Sequence, residues 1–140
     1  MLYLAGTLRA NGYQIYLLDC LDIHFSGKAA QSPLPPRKAF GTGKYFRQRL
    51  ARPPALLEIP KYYYRYGVPP AVFLQALREL PPPQAVLMTS SMTYWYGGGI
   101  ETVELVRSVF PKPPLILGGI YATLMPAHAQ KAGARAPSPP

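Results

Sequence analysis

The fold turns on residues 85–119, AVLMTSSMTYWYGGGIETVELVRSVFPKPPLILGG. Ala85–Met88 (AVLM) is a short continuous apolar run, with prolines before it and Thr89, Ser90 and Ser91 after it. That is the form of a strand buried on both faces. Gly97–Gly99 reads as a mobile turn into a helix over Ile100–Phe110, where Ile100, Val103, Val106, Val109 and Phe110 recur at helical spacing and Arg107 falls on the solvent side. Pro111, Pro113 and Pro114 stop that helix, and Leu115–Leu117 (LIL) forms a second buried strand running into Gly118 and Gly119. Strand, helix, strand in so short a span is a crossover unit, which lays its two strands parallel.

Working outward, Pro69 and Pro70 open a helix over Ala71–Leu80 with a buried stripe of Val72, Phe73, Ala76, Leu77 and Leu80, and the run Pro81–Pro83 ends it. Near the start, Leu4, Ala5 and Leu8 share one helical face, and Gly12 stands where a helix takes its left-handed stop. Gln14–Asp19 (QIYLLD) then reads as a strand ending on an acid. Helix, strand, a long insertion, helix, strand, helix, strand specifies an α/β fold, a doubly wound parallel sheet with helices on both faces. The first helix has no strand before it, so the sheet is expected to be incomplete, truncated at both ends. Pro126 begins a further helix, PAHAQKAG, and Ala136–Pro140 (APSPP) is expected to be a disordered tail behind a single domain of residues 1–135.

Composition fits one domain. The 140 residues are 49% hydrophobic and 15% charged, against about 25% charged in an ordinary soluble domain, which excludes a disordered charged tail as the whole. Eighteen prolines and twelve glycines are too many for a helical bundle and lack the strict period of collagen. A chain this long buries roughly two thirds of its unfolded surface. Its apolar stretches stop near about ten residues, where a bilayer span needs roughly 20, and no charged start precedes an apolar run; a cytoplasmic protein with no membrane partner is expected. The single cysteine, Cys20, excludes an internal disulfide, a multi-cysteine zinc site and a cysteine-held iron–sulfur cluster within the chain, and reads as a small buried apolar group.

The formal charge of +9 is unevenly placed. Lys28, Arg37, Lys38, Lys44, Arg47, Arg49, Arg52, Lys61 and Arg65 face one acid, Glu58, across residues 28–65, and six prolines fall in the same stretch. Residues 28–68 are therefore an extended basic, Pro/Tyr-rich insertion in a nearly neutral body. Its Tyr62, Tyr63, Tyr64 and Tyr66, with Tyr94, Trp95 and Tyr96 and the arginines, raise a rival reading, a single-stranded nucleic-acid-binding module. The expected arrangement is different: the insertion wraps the domain and docks on a neighbouring one, tyrosines packed and cations wet, with nucleic acid not expected as a partner.

Open parallel sheets bind ligands outside the carboxyl ends of their strands. The loops there are Thr89–Thr93 and Gly118–Thr123, whose hydroxyls and glycine amides suit a phosphate, ribose or amide-bearing cofactor. Gly41, Thr42, Gly43 and Lys44 suggest a phosphate loop, but Lys38 occupies the position where a Walker-type loop needs its first glycine, so no nucleoside triphosphate site follows. His128 reads as a surface or capping residue. The six acids are scattered with none set against a histidine, so proton-transfer catalysis has no support in the chain.

LYLAGTLRANGYQIYLLD (2–19) resembles the start of the cobalamin-binding domains that precede radical S-adenosylmethionine barrels, usually written PLGL-YLA-x-LR-x-x-G-x-x-V-x-x-x-D. VLMTSSMTYWY (86–96) is similar to that family's third strand with its serine/threonine loop, and LILGGIYATLMPAHA (115–129) to its fourth strand with a Gly-Gly turn. FGTGKYFRQRL through YYYRYGVPPAVF looks like the insertion of one branch of these proteins.

The resemblance implies a Rossmann-like, flavodoxin-like domain that lays cobalamin across its strand ends and presents the cobalt to a radical barrel normally in the same chain. Ser90, Ser91 and Thr93 would then line the groove for the nucleotide tail, and Gly118 and Gly119 would allow close approach, with Tyr121, Ala122 and Thr123 beside them. Tyr121 departs from the family's Gly-Gly-x-His-Ala-Thr run, and the first strand with its Pro-Leu-Gly loop is not present. S-adenosylmethionine and the [4Fe-4S] cluster would belong to the barrel, whose three-cysteine run this chain lacks, so no catalysis is expected from the chain alone. A non-functional gene fragment is the remaining alternative. Asp22, His24 and Gly27 spell the Asp-x-His-x-x-Gly pattern that supplies a cobalt ligand in methionine-synthase-like domains. In those domains it follows the first strand; here it follows the strand after the first helix, so His24 is read as an ordinary loop histidine rather than the cobalt's lower ligand.

Overall fold

Two strand pairs organise the computed structural model, which describes residues 2–24, 38, 40, 45–131 and 133. Val86–Thr89 (β3) and Leu115–Gly118 (β4) run parallel, Val86 opposite Leu115 through Thr89 opposite Gly118. Arg47–Leu50 (β1) and Tyr63–Tyr66 (β2) run antiparallel, Arg47 opposite Tyr66 through Leu50 opposite Tyr63. The helices among the described residues are α1 (Leu2–Ala10), α2 (Pro70–Glu79), α3 (Tyr96–Val109), α4 (Ile120–Leu124) and α5 (Pro126–Lys131). The architecture is mixed α/β with small sheets. The chain groups into two compact units, residues 1–17 with 76–140 and residues 18–75, so the second contains the basic insertion. Phe25, Ser26 and Gly27, the cations Lys28, Arg37 and Lys44, the Gly41–Lys44 loop and the Ala136–Pro140 tail lie outside the described residues.

The first unit is centred on the crossover unit read from residues 85–119. Val103, Val106 and Phe110 of the α3 stripe are buried with Leu115 and Leu117 of β4, each contributing about 1.5–3 kcal/mol by leaving water. The two strands are not covered on both faces, as their continuous apolar runs predict. Ile116, between two residues 1% exposed, is itself 40% exposed, because in a sheet of two described strands β4 has one covered face. Val86 N–H donates to Pro114 O (2.9 Å) and Ser90 N–H to Gly118 O (3.2 Å), carrying the ladder past both strand ends.

Three local expectations change. Gly97–Gly99 is not a turn: α3 begins at Tyr96 and passes through all three glycines. A 3₁₀ turn over Thr93–Trp95 leads directly into it, supplying the nucleus that glycine alone forms poorly, and Thr102 Oγ1 donates to Gly98 O at 2.7 Å. Arg107 does not simply face solvent. Its side chain is half-buried, and Nη1 donates to Pro111 O (3.1 Å) and Pro113 O (2.6 Å), closing the helix end where prolines offer no amide. Gln14–Asp19 forms neither strand nor helix and joins no ladder with the described residues. Tyr16 and Leu17 are exposed, and an apolar run becomes a strand only when a neighbour takes up its backbone groups.

The remaining elements follow the sequence closely. Gly12, at φ +85°, ends α1 with Gly12 N–H on Arg9 O and Tyr13 N–H on Leu8 O, both 3.1 Å, the two bonds of a Schellman stop. No residue of α1 is fully buried; on its expected apolar face Ala5 and Leu8 are half-buried and Leu4 is exposed. In α2, Phe73 and Leu77 are buried, with Val72, Ala76 and Leu80 half-buried along the predicted stripe. Cys20 is exposed rather than buried. It sits in a turn in which Asp19 Oδ1 accepts Leu21 N–H (2.9 Å) and Asp19 O accepts Asp22 N–H (3.0 Å), and such turns form at the surface.

Candidate functional site

The parallel register of β3 and β4 ends with Thr89 beside Gly118, so the loops leaving the two strands start side by side at one edge. Gly119 sets how closely they run. Its backbone is at φ 94°, ψ 179°, a region that is essentially glycine's alone. A Cβ there would strike the Ser90 carbonyl oxygen and come within 2.8 Å of Thr89 Oγ1. Nothing larger than hydrogen fits between the loops at that point. Gly118 is under no such constraint, since its nearest neighbour would be Met88 O at 3.8 Å.

The predicted site residues separate into two groups. Ser91 and Thr93 are exposed on the first loop and Gly119 on the second, with Gly118 half-buried at the strand end. These four residues form an open ledge with Thr89, which is also exposed. Ser90 points inward: it is buried, and its Oγ donates to Met92 O at 3.2 Å, shaping the loop. Thr123 is exposed, but its Oγ1 donates to Gly119 O at 3.0 Å and its N–H to the same oxygen at 3.1 Å, forming the first turn of α4. Tyr121 and Ala122 are 1% and 0% exposed and belong to the core beneath the ledge.

Tyr121 leads to residues that the sequence reading did not connect. Its hydroxyl is 2.7 Å from His128 Nδ1. The Tyr96 ring packs against both, with centroids 6.2 Å from Tyr121 and 5.4 Å edge-on from His128. Burial first, and then the Tyr96 phenol, push the Tyr121 phenol above its ordinary value. The sequence reading of His128 as a capping or surface residue holds for its exposure but omits this hydrogen bond. The clue lay in its place seven residues after Tyr121, with Pro126 turning the chain between them. Residues 120–124, read as loop, form α4, a helix too short to announce itself by periodicity.

His24 belongs to the other unit. It is exposed, and its backbone N–H donates to Asp22 Oδ1 at 2.8 Å in a local turn. Among the described residues no three His, Cys, Asp or Glu side chains group as metal ligands, and no helix is long and apolar enough to cross a membrane. Scans of the chain against protein-family models, curated proteins and solved structures match none of them.

Proposed function

We propose that the chain is a cobalamin-binding domain of a radical S-adenosylmethionine protein, its unit of β3, β4 and α3 being part of a Rossmann-like, doubly wound sheet, and that the ledge at the carboxyl ends of β3 and β4 holds the corrinoid. The observation that carries this reading is the Gly119 contact. A loop pair held so close that a single Cβ would part it, rimmed by exposed Thr89, Ser91 and Thr93, lets a large amide-bearing group lie against backbone rather than against side chains. The fit lies in the backbone and in these hydroxyls, which can donate to and accept from amides, ribose and phosphate. Ser90 and Thr123, whose hydroxyls are engaged within the loops, shape the ledge and leave contact to Ser91 and Thr93. Tyr121 supports α4 from below, with His128 holding its hydroxyl. The corrinoid supplies a redox-active cobalt; the residues of this chain bind and orient it and perform no bond-making themselves. S-adenosylmethionine and an iron–sulfur cluster enter only with the catalytic barrel that this domain would serve.

The test is reconstitution with hydroxocobalamin followed by gel filtration, with folding of the chain checked by far-ultraviolet circular dichroism. Corrinoid absorbance co-eluting with the folded chain, and weakened in a Ser91→Ala/Thr93→Ala variant that keeps its dichroism, is the expected result. Folded wild-type chain eluting free of corrinoid would overturn the proposal.

A further inference from the structure

The geometry points to a second binding face, on the β1–β2 pair of the other unit, built to stack single-stranded nucleic acid. Strand alternation puts Arg47 and Arg49 of β1 on the same face as Tyr64 and Tyr66 of β2, since each arginine lies opposite one of those tyrosines. Tyr62, just before β2, continues the row. The Arg49 guanidinium lies 3.8 Å above the Tyr62 ring and that of Arg47 4.5 Å above Tyr64. Ring centroids run Tyr62, Tyr64, Tyr66 at 6.3 Å per step. In the chain by itself Tyr62 is 63% and Tyr66 53% exposed, with Tyr64 half-buried between them.

Each feature of the row selects for a splayed polyanion. A step of 6.3 Å with the ring planes turned by 73° and then 56°, against ~3.4 Å per nucleotide between parallel bases in a duplex strand, suits bases pulled apart and turned individually and not bases in a helical stack. Tyrosine faces accept any base, and a guanidinium held over an aromatic ring keeps N–H groups free at the same face for phosphate. A depression of about 380 Å³ opens at one end of the row, lined by Arg49, Ala51, Arg52 and Tyr62 among others. Residues 18–75 carry nine Lys or Arg against Asp19, Asp22 and Glu58, a surplus that draws in a polyanion and repels a basic partner. Neither the arginines nor the tyrosines here take part in the cobalamin reading, and the two stand or fall separately.

The experiment is fluorescence anisotropy of a labelled oligothymidylate of about ten nucleotides with the full chain, without cobalamin, at about 50 and 200 mM salt. Binding at the lower salt should weaken at least about sevenfold at the higher from Arg47 and Arg49 alone, by a single-strand slope of ~0.7 per phosphate contact. The R47A/R49A double variant should lose that part of the salt dependence. Tyr62→Leu, which lies outside the β1–β2 ladder and leaves its hydrogen bonds in place, should weaken binding at least about fivefold, while Tyr62→Phe should keep it. Four results would each overturn the inference: no binding at the lower salt, duplex bound as tightly as single strand, inorganic polyphosphate bound as tightly as the oligonucleotide, or binding indifferent to Tyr62→Leu. The last two would mean charge attraction alone, and no binding would return the face to a protein partner.

Discussion

Replacing Gly119 and Gly118 one at a time by alanine separates the two things that glycine can do at the ledge. At Gly119 the added Cβ meets the Ser90 carbonyl oxygen and Thr89 Oγ1, on a backbone at φ +94°. The backbone conformation alone costs an alanine about 1–3 kcal/mol, and forcing the two loops apart adds about 1–3 kcal/mol more. A loss of about 2–6 kcal/mol is a large part of the ~5–15 kcal/mol that holds a domain folded. At Gly118 the same methyl group finds an ordinary contact at 3.8 Å and no positive φ, and alanine there should change stability by less than about 1 kcal/mol, if anything favourably. Urea unfolding followed by far-ultraviolet circular dichroism reads the difference. With a slope of about 1–3 kcal/mol per molar, Gly119→Ala should move the midpoint down by at least about 0.7 M, and Gly118→Ala should leave it near wild type. Equal midpoints for the two variants would refute the close approach on which the ledge depends.

Two further variants test the layer beneath. Tyr121→Phe removes the hydroxyl from His128 Nδ1 and should cost about 0.5–1.5 kcal/mol near neutral pH. Because the Tyr121 phenol is held above its ordinary value of 10.0 in the fold, the folded state keeps its proton longer than the unfolded state does. That contribution is complete below pH 10 and is lost as the pH rises through the folded value. Wild-type stability should therefore fall above about pH 10 more steeply than that of Tyr121→Phe, and parallel curves from pH-dependent urea melts would contradict the assignment. Arg107→Ala deletes the bonds to Pro111 O and Pro113 O, and should destabilise by about 1–3 kcal/mol; a thermal melt unchanged from wild type would return Arg107 to the role of a solvated surface cation.

What could be read from the residues alone depended on how local the deciding physics is. Prolines at 69–70, 81–83, 111 and 113–114 and the apolar runs between them place α2, β3, α3 and β4 within a few residues, because a missing amide and a helical stripe act over single turns. The β4–α4 turn was legible as a Gly-Gly pair, though not that Gly119 presses on Ser90, a contact across 29 residues of chain. Gln14–Asp19 carries every local mark of a strand and pairs with nothing described, since pairing belongs to the neighbour as much as to the segment. Ser90 and Ser91 are identical in type and adjacent, and only the fold decides that one hydroxyl turns in toward Met92 and the other faces out. The antiparallel pair in the insertion is not legible because neither RQRL nor YYRY alternates apolar with polar residues.

The central claim, that the carboxyl edge of β3 and β4 carries a corrinoid, is tested most directly by amide hydrogen exchange of the full chain with and without hydroxocobalamin. The account predicts slowed exchange confined to residues 89–93 and 118–123, with residues 45–66 unchanged. Slowing that appears elsewhere while those two loops exchange as before would contradict it.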